Sequence, residues 1–320
     1  MKKTAIVLFN LGGPLSQDKV KDFLFSLFYD PSILTLPNPL RFFLAKLITR
    51  ARLKEAKHIY SFLGGGSPLL QNTRMQALAL ERELGKDYKV FIAMRHATPF
   101  IEDAWREIQK YNPQEILLLP LYPQFSTTTT GSSLTAWKKV AKGKQKIPTR
   151  LILSYPSETG LIQALRDRTL FHYEKAKKSG HPKVLLTAHG LPEKVIRKGD
   201  SYQHQVEQTT ASLIKALQIP RIDFILCYQS RVGPLKWLGP YTQDEIIKAS
   251  REKRPLVIVP ISFVSEHPET LVELDVFYRE RALQEGCPSF HRVETVQTHP
   301  FFIKGLANLI RQQKEGTHVL

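Results

Sequence analysis

The chain has 320 residues, of which 42% are hydrophobic and 10% aromatic, so it can form two packed domains or one large one, and wholesale disorder is excluded. The sequence contains no run of about 18 apolar residues, so it predicts no membrane-spanning helix. Its formal net charge of +17 predicts anionic partners, namely nucleic acid, lipid headgroups or a substrate that carries carboxylates.

The first residues, MKKTAIVLFNLGGPLS, combine two lysines with an apolar stretch, as a signal peptide does. Asn10 interrupts that stretch and no small-x-small cleavage site follows, so we predict a buried strand instead. The two cysteines, Cys227 and Cys287, are far apart and lack CxxC spacing. They are typical of a reduced cytosolic chain and cannot supply four thiolates for an iron–sulfur cluster. We therefore predict a cytoplasmic protein without such a cluster.

The segment 41–57, RFFLAKLITRARLKEAK, is basic and also rich in apolar residues. It predicts an amphipathic basic helix, of the kind that lies on an anionic membrane surface or lines an anionic ligand. A second basic cluster, at 138–150, has no aromatic residue and predicts a solvated turn. No nucleic-acid-binding motif accompanies these basic residues, so nucleic acid is not predicted as a partner.

Apolar, strand-like runs alternate with longer helical patterns along the whole chain. In order, these runs are TAIVLFNL, KVFIAM, EILLLPLYP, RLILSY, KVLLTAHG, DFILCY and PLVIVPISF. Such alternation predicts an α/β fold, in which parallel sheets are covered by helices. Sites in such sheets form in the loops beyond the carboxyl ends of the strands.

The two halves of the sequence resemble each other. The runs that begin at residues 4 and 116 correspond to those that begin at 183 and 256, but the first pair is further apart. We therefore predict two similar domains, residues 1–165 and 166–320, and an insertion at about 30–70 in the first. Two such domains would face each other across a cleft, and the basic insertion would form its lip. The last helix, at about 300–314, is expected to pack back on the first domain.

Two residues that follow predicted strands are candidates for a site. His189 comes directly after the strand that begins at 183, and Trp237 lies in the loop after the next strand. A histidine at the mouth of a cleft is a candidate base or metal ligand. A tryptophan near a cleft suits a flat apolar ligand, although core packing explains it equally well.

The stretch 260–275, PISFVSEHPETLVELD, gathers four carboxylates and a histidine beyond an apolar strand. If a helix begins near Ser265, residues 266, 269 and 273 share one face and Asp275 points the other way. Carboxylates about 5 Å apart repel by roughly 3 kcal/mol at an effective dielectric constant of 20. This repulsion is relieved if one carboxylate is protonated or if a cation passes beside them. His267 adds a nitrogen ligand suited to iron, zinc or copper. The alternative is a capped helix start with solvated acids.

Several of these stretches together resemble the ferrochelatase family, whose members insert Fe²⁺ into a porphyrin to make haem. They are LFNLGGP, GGGSPL, TAHGLPEKVIRKGDSYQHQV, CYQSRVGPLKWLGPYTQDEI and VPISFVSEHPETLVELD. The resemblance runs from about residue 4 to 310 in the expected order. It implies two Rossmann-like domains of the chelatase type that hold the porphyrin between them. It also implies a lyase that acts on protoporphyrin IX and Fe²⁺ in the last step of haem biosynthesis.

The resemblance implies roles for particular residues. His189 and Glu269 match the catalytic residues, and both, with His267, are implied metal ligands, while Glu266 and Glu273 are implied as a relay. The implied porphyrin-binding residues are Leu11, Arg52, Tyr60, Ser67, Arg95, His96, Trp237 and Phe263. Among them, Arg52, Tyr60 and Ser67 match the residues that hold the propionates.

Two departures from the family pattern modify this prediction. The family often extends its acidic ridge by a third carboxylate, but Phe277 occupies that position here, so a second metal site is doubtful. The tail RQQKEGTHVL lacks the cysteines of the cluster-bearing members.

Other functions are left open by the residues themselves. One is a chelatase for another tetrapyrrole or metal, such as coproporphyrin III or cobalt and nickel. Another is a non-catalytic carrier of haem or porphyrin. We also expect peripheral contact with an anionic membrane, and either a monomer or a homodimer.

Overall fold

A computed structural model describes residues 3–143 and 147–313. The chain divides into two compact units. The first unit comprises residues 1–154 with 306–320, and the second comprises residues 155–305. The predicted domain boundaries, and the predicted return of the last helix, stay predictions.

The first unit contains a four-stranded parallel sheet. Its strands are β1 (Thr4–Asn10), β2 (Tyr88–Met94), β3 (Glu115–Pro120) and β4 (Thr149–Leu151), in the spatial order β2-β1-β3-β4. Every residue of β1 and β3 is buried. Central strands of a sheet that is covered on both faces are predominantly apolar for this reason, and here the buried polar residues Thr4, Asn10 and Glu115 lie at the strand ends.

Helices flank this first sheet. They are α1 (Val20–Phe28), α2 (Asn38–Ser61), α3 (Leu69–Leu84), α4 (Ile101–Tyr111) and α5 (Ser132–Ala141). Trp105 of α4 and Trp137 of α5 meet edge to face, with ring centroids 5.3 Å apart, and Trp137 also packs on Phe9 of β1. Helix α4 ends at Asn112, which has a φ of 50° and stops the helix in the left-handed conformation.

The second unit repeats this arrangement. Its strands are β5 (Lys183–His189), β6 (Phe224–Gln229), β7 (Leu256–Pro260) and β8 (Phe290–Arg292), in the order β6-β5-β7-β8 and all parallel. Strand β5 has β6 on one side and β7 on the other. The carboxyl ends of these three strands therefore lie at one edge of the sheet, where α/β folds place their sites.

The helices of the second unit include one with unusual geometry. The α-helices are α6 (Thr159–Ala176), α7 (Glu193–Arg197), α8 (Tyr202–Leu217), α9 (Thr242–Arg251), α10 (Arg279–Gln284) and the start of α11 (Pro300–Gln312), whose residues from 306 onward belong to the first unit. A π-helix spans Glu269–Tyr278 directly before α10. Its buried Leu274 packs into the core with Ile246 and Ile258. Because π-helical segments occur frequently at functional sites, this one supports the prediction that the acidic stretch is part of a site.

Most of the predicted elements are present. All seven predicted strands occur, the basic segment is helical within α2, and the two sheets have equivalent strand orders. The prediction of an α/β fold with parallel sheets flanked by helices is therefore confirmed. Strand β8 was not predicted, because its three residues, FHR, offer no apolar run. The helix expected from Ser265 begins instead at Glu269.

Candidate active site

His189 and Glu269 form a hydrogen-bonded pair in the second unit. Nδ1 of His189 lies 3.0 Å from Oε2 of Glu269. His189 is the last residue of β5 and Glu269 is the first residue of the π-helix that follows β7. Because β5 and β7 are parallel neighbours, their carboxyl ends bring together two residues that are 80 positions apart. Both side chains are about one-third exposed, so the pair is open to a ligand.

Backbone and ring contacts fix His189 in place. Its backbone N–H donates to Oγ of Ser262 at 3.2 Å, and its carbonyl oxygen accepts from the hydroxyl of Tyr202 at 3.0 Å. The indole of Trp237 stands edge to face against the imidazole, with ring centroids 6.3 Å apart. A Cβ at Gly190 would lie 3.3 Å from Cε3 of Trp237, so the glycine allows this close approach.

His267 adds a second imidazole beside Glu269. Its Nε2 lies 3.6 Å from Oε2 of Glu269, and its ring packs on Phe263 with centroids 4.6 Å apart. The backbone N–H of His267 donates to Oγ1 of Thr270, the second residue of the π-helix. One carboxylate oxygen of Glu269 therefore faces two imidazoles. Four site residues predicted from the sequence lie together here: His189, Glu269, His267 and Phe263.

Glu273 lies in a network of donors one turn further along the π-helix. Its carboxylate accepts from the N–H and hydroxyl of Ser230, from Nε2 of Gln229 at 3.2 Å and from the hydroxyl of Tyr278 at 2.8 Å. Nε2 of Gln229 also donates to the carbonyl oxygen of Glu269 at 3.0 Å. Gln229 thus connects the backbone of Glu269 to the carboxylate of Glu273.

The sequence analysis did not single out Gln229, Ser230 and Tyr278. Gln229 is the register partner of His189 across β5 and β6, and Ser230 follows it. The rule that pointed to His189, a polar residue at the carboxyl end of a strand, would have found both of them. Tyr278 carries no comparable signal, because only the π-helix brings its hydroxyl to Glu273.

The charges in this cluster shift one another's pKa values. Burial lowers the pKa of His189, but the carboxylates of Glu269 and Glu273 outweigh it, so the net shift is upward. Burial raises the pKa of Glu269, but His189 and His267 outweigh it and hold that pKa far below its usual value. The pKa of Glu273 is raised by burial and by the charge of Glu269. Glu269 is therefore the ionised carboxylate of the cluster, and Glu273 is the one closer to accepting a proton.

Glu266 has different partners from those predicted. Its carboxylate accepts from NH1 of Arg292 at 2.7 Å, from Oγ1 of Thr270 and from the backbone N–H of Thr295 at 2.9 Å. Arg292 also binds Asp275, at 2.6 Å. The structure therefore places Glu266 and Asp275 on one guanidinium, whereas the predicted helix from Ser265 put them on opposite faces. The helix begins at Glu269 and is π-helical, which is why that projection does not apply.

In the first unit, the loop after β1 lies against Ser67. The backbone N–H of Ser67 donates to the carbonyl oxygen of Pro14 at 2.7 Å. A Cβ at Gly13 would lie 2.5 Å from Cβ of Ser67 and 4.0 Å from the hydroxyl of Tyr60. The glycine thus lets this loop approach Ser67 and Tyr60 closely. Leu11, half-buried at the end of β1, accepts through its carbonyl oxygen from the N–H of His96 at 2.9 Å.

Arg95 and His96 converge on a carboxylate that the sequence analysis did not assign to the site. NH2 of Arg95 lies 2.7 Å from Oδ2 of Asp30, and Nε of Arg95 donates to Oγ of Ser132 at 2.7 Å. Nε2 of His96 lies 3.6 Å from the same oxygen of Asp30. Burial and the charge of Arg95 lower the pKa of His96 to about 4, against the opposing effect of Asp30. His96 is therefore a neutral, buried side chain at neutral pH.

Arg52 lies on α2, as the predicted insertion required. Its NH2 is 3.5 Å from Oε2 of Glu55, one turn along the helix. The Arg52 side chain is 31% exposed. An exposed pair of this kind contributes little to stability, so the guanidinium stays available to an anionic ligand.

The metal-binding potential of the described residues is limited. Within 3–143 and 147–313, no group of three or more His, Cys, Asp or Glu side chains is arranged to hold a metal ion. Both cysteines are free thiols and buried.

The family model described as Ferrochelatase matches residues 3–314. That match covers nearly the whole chain and includes every residue discussed above. The chain belongs to the ferrochelatase family.

Curated members of the family are similar along their whole length. A ferrochelatase from Caulobacter vibrioides is 50% identical over 315 residues, which cover 97% of this chain and 90% of that one. One from Wolbachia sp. subsp. Drosophila simulans is 47% identical, with 96% and 98% covered. One from Pelagibacter ubique is also 47% identical, with 98% and 92% covered.

Solved structures of chelatases share the fold. SirB from Bacillus subtilis, determined with Fe³⁺, gives a TM-score of 0.55 at 11% identity and covers 98% of this chain and 95% of its own. CbiX, described as the terminal enzyme of sirohaem biosynthesis in denitrifying bacteria, gives 0.53 at 12% identity, with 98% and 100% covered. At this identity the likeness shows the fold alone, and it agrees with the predicted chelatase-type architecture.

Membership of the ferrochelatase family identifies the chain as a metal-chelating lyase of haem biosynthesis, with Fe²⁺ as substrate. Among the described residues, no helix is long and apolar enough to cross a membrane.

Proposed function

We propose that this chain inserts Fe²⁺ into protoporphyrin IX, releases two protons and forms protohaem. The observation that carries the proposal is the His189–Glu269 pair, 3.0 Å apart at the carboxyl edge of a parallel sheet in a ferrochelatase-family chain. The porphyrin must lose two N–H protons as the metal enters, so the site needs a base beside a metal-attracting carboxylate. The pair supplies both groups.

His189 is the proposed proton acceptor. Because the pKa of Glu269 is held low, its carboxylate is ionised and accepts a hydrogen bond from Nδ1–H of neutral His189. That tautomer leaves the lone pair on Nε2 to take a proton from a pyrrole nitrogen. Once His189 is protonated, the adjacent charge of Glu269 stabilises the imidazolium. Glu269 therefore orients the base and stabilises its charged form.

Glu269 and the imidazole of His267 are the proposed contacts of the incoming Fe²⁺, and Nε2 of His189 is a further ligand only until it takes up a proton. Oxygen and imidazole nitrogen are both ligands that Fe²⁺ accepts. So few protein ligands bind a divalent ion weakly, which suits an ion that has to leave for the porphyrin. Glu273, with its raised pKa, is the proposed relay that passes protons away from His189.

Porphyrin contacts are proposed for the residues that follow, each taken within its own unit. Arg52, Tyr60 and Ser67 are the candidates for the propionates, since a guanidinium and two hydroxyls suit carboxylate groups. Leu11, Trp237 and Phe263 offer apolar surface to the macrocycle. Arg95 is 22% exposed, whereas His96 is buried and its backbone N–H donates to the carbonyl oxygen of Leu11, so we propose that His96 acts through the position of Arg95 and Leu11.

We propose that the protein resides in the cytoplasm. We also propose that α2 makes a peripheral contact with a membrane. Leu40, Phe43 and Leu47 form an apolar stripe at a spacing of three and four residues, and each is more than 60% exposed. Basic residues on the same helix would meet anionic headgroups. Protoporphyrin and haem are poorly soluble in water, so a membrane is a reasonable source and destination for them.

The test is an anaerobic assay of the purified protein with protoporphyrin IX and Fe²⁺. Porphyrin fluorescence and haem absorbance are followed together. Catalytic loss of fluorescence with matching haem formation is expected. Tight haem binding without turnover would support a carrier instead, and faster turnover of a tetracarboxylate porphyrin would contradict the choice of substrate.

A further inference from the structure

Arg292 holds two carboxylates that flank the proposed catalytic segment in sequence. Its NH1 donates to Glu266 at 2.7 Å, while its Nε and NH2 donate to the same oxygen of Asp275 at 2.8 and 2.6 Å. The side chains of Arg292 and Glu266 are 8% and 9% exposed. Asp275 also accepts from NH2 of Arg279 at 3.2 Å. Two guanidiniums and two carboxylates therefore balance in charge at this place.

The two carboxylates lie on either side of Glu269 along the chain. Glu266 comes three residues before it, and Asp275 lies on the π-helix two residues after Glu273. Arg292 belongs to β8, which pairs with β7 in the sheet. The guanidinium thus ties both ends of the acidic segment to the edge of the sheet.

We propose that Arg292 is a positioning residue, which holds the chain on both sides of Glu269 and thereby fixes the Glu269 carboxylate against His189. The proposal deepens the proposed function and rests on it, since Glu269 is the carboxylate of that site. It assigns Glu266 and Asp275 to this clamp, so Glu266 is not needed as a relay. The clamp is defined as Arg292, Glu266 and Asp275.

A guanidinium is the group that this geometry requires. Its planar fork donates in two directions at once, to Glu266 from NH1 and to Asp275 from Nε and NH2. A lysine ammonium carries the same charge on a compact head and cannot reproduce this fork. Arg292→Lys therefore changes the geometry while it preserves the charge.

The experiment compares Arg292→Lys with wild type in Fe²⁺ insertion. We expect kcat to fall about 10- to 100-fold, because small displacements of a reacting group cost this much. The KM for protoporphyrin IX should stay within about threefold of wild type, because none of the partners given above for Arg292, Glu266 and Asp275 is a proposed porphyrin-binding residue. An unchanged kcat would overturn the proposal.

Arg150→Lys is the matched control in the first unit. Arg150 lies on β4, which occupies in the first sheet the edge position that β8 occupies in the second. The guanidinium of Arg150 forms an ion pair with Glu115. The side chains of Arg150 and Glu115 are 9% and 10% exposed, close to the values for Arg292 and Glu266. Both variants should lose thermal stability, but only Arg292→Lys should lose kcat. Equal losses of kcat would make Arg292 merely structural and would refute its positioning role.

A second readout does not depend on activity. Amide hydrogen exchange across 266–278 should accelerate in Arg292→Lys more than in the rest of the second unit, and should be unchanged there in Arg150→Lys. If wild type inserts no metal, the proposed function fails, and the exchange measurement still decides whether the clamp exists. If exchange in Arg292→Lys accelerated equally across the whole second unit, the proposal that Arg292 holds the 266–278 segment would be contradicted.

If Arg292→Lys does not fold, Asp275→Asn provides the test. It weakens one end of the clamp and preserves the ion pair between Arg292 and Glu266. Asp223→Asn is its control, because Asp223 binds Lys183 and Arg254 in the same unit and is similarly exposed. We expect a reduced kcat for Asp275→Asn alone. Wild-type turnover of that variant would refute the proposal.

Discussion

His189 and Glu269 are 80 residues apart, yet Nδ1 of one lies 3.0 Å from Oε2 of the other. The pair combines a base with an ionised carboxylate, because each group shifts the pKa of the other. Burial works against both charges, and their mutual attraction outweighs it. Loss of either side chain should therefore remove a group that the proposed reaction needs.

His189→Ala and Glu269→Gln should each nearly abolish Fe²⁺ insertion while the fold is preserved. The alanine removes the proton acceptor, and the glutamine keeps the shape of Glu269 but removes its charge. Turnover is measured by haem absorbance, and folding by circular dichroism. Near wild-type turnover by either folded variant would show that its residue does not have the proposed role.

The pH profile of kcat/KM should have its acid limb above the ordinary histidine pKa of 6.5. The carboxylates of Glu269 and Glu273 favour protonated His189, so its pKa is raised despite burial. A base must be neutral to accept a proton, so activity is lost as pH falls through that raised pKa, and kcat/KM reports the free enzyme. Glu273→Gln should move the limb toward lower pH. A limb centred below 6.5 in wild type would contradict this assignment.

Gln229→Leu should lower both stability and kcat. The change removes the side-chain donor to the carbonyl oxygen of Glu269 and one of several donors to the carboxylate of Glu273, at a cost of about 1–3 kcal/mol. Thermal unfolding and turnover are measured together. Gln208→Leu, at an exposed position on α8, is the control and should match wild type. Full activity of a destabilised Gln229→Leu variant would show that Gln229 contributes to stability but not to turnover.

The apolar stripe of α2 should bind anionic vesicles weakly, and salt should weaken the binding further. Replacement of Leu40, Phe43 and Leu47 by serine should remove it, as measured by co-sedimentation with phosphatidylserine vesicles at low salt. Phe171→Ser with Leu283→Ser is the control, since these two apolar side chains are 57% and 54% exposed on the second unit. Undiminished binding by the triple variant would rule out the stripe as the membrane contact.

Acid should destabilise the first unit through His96. Its pKa is about 4 in the folded chain against 6.5 ordinarily, so between these values the unfolded chain binds more protons. Stability contributed by neutral His96 is therefore fully present above 6.5 and is lost as pH falls, to a limit of about 3 kcal/mol. Calorimetry across this window should show a smaller loss for His96→Gln than for wild type. If His96→Gln and wild type lost equal stability across this pH window, His96 would not be the cause of the acid destabilisation.

The acidic segment illustrates what could be predicted from sequence. His267, Glu269 and Glu273 were singled out because they follow an apolar strand in a pattern that predicts a parallel sheet. That reasoning needs only the direction of the strands, which the alternation of apolar and helical runs supplies. The partners of Glu266 were missed because Arg292 lies on β8, whose three residues carry no strand pattern.

Sequence alone thus determined the α/β class, the repeated arrangement of strands and the edge of the sheet where the candidate residues His189 and Glu269 lie. These features follow from local periodicity, since each apolar run has to be buried whatever its neighbours are. Only the tertiary structure decided which charged groups meet. His189 faces Glu269, Arg95 faces Asp30, and Arg292 joins Glu266 to Asp275. Ion pairs of this kind join residues far apart in the chain, and no local pattern specifies them because the packing of the sheet brings them together.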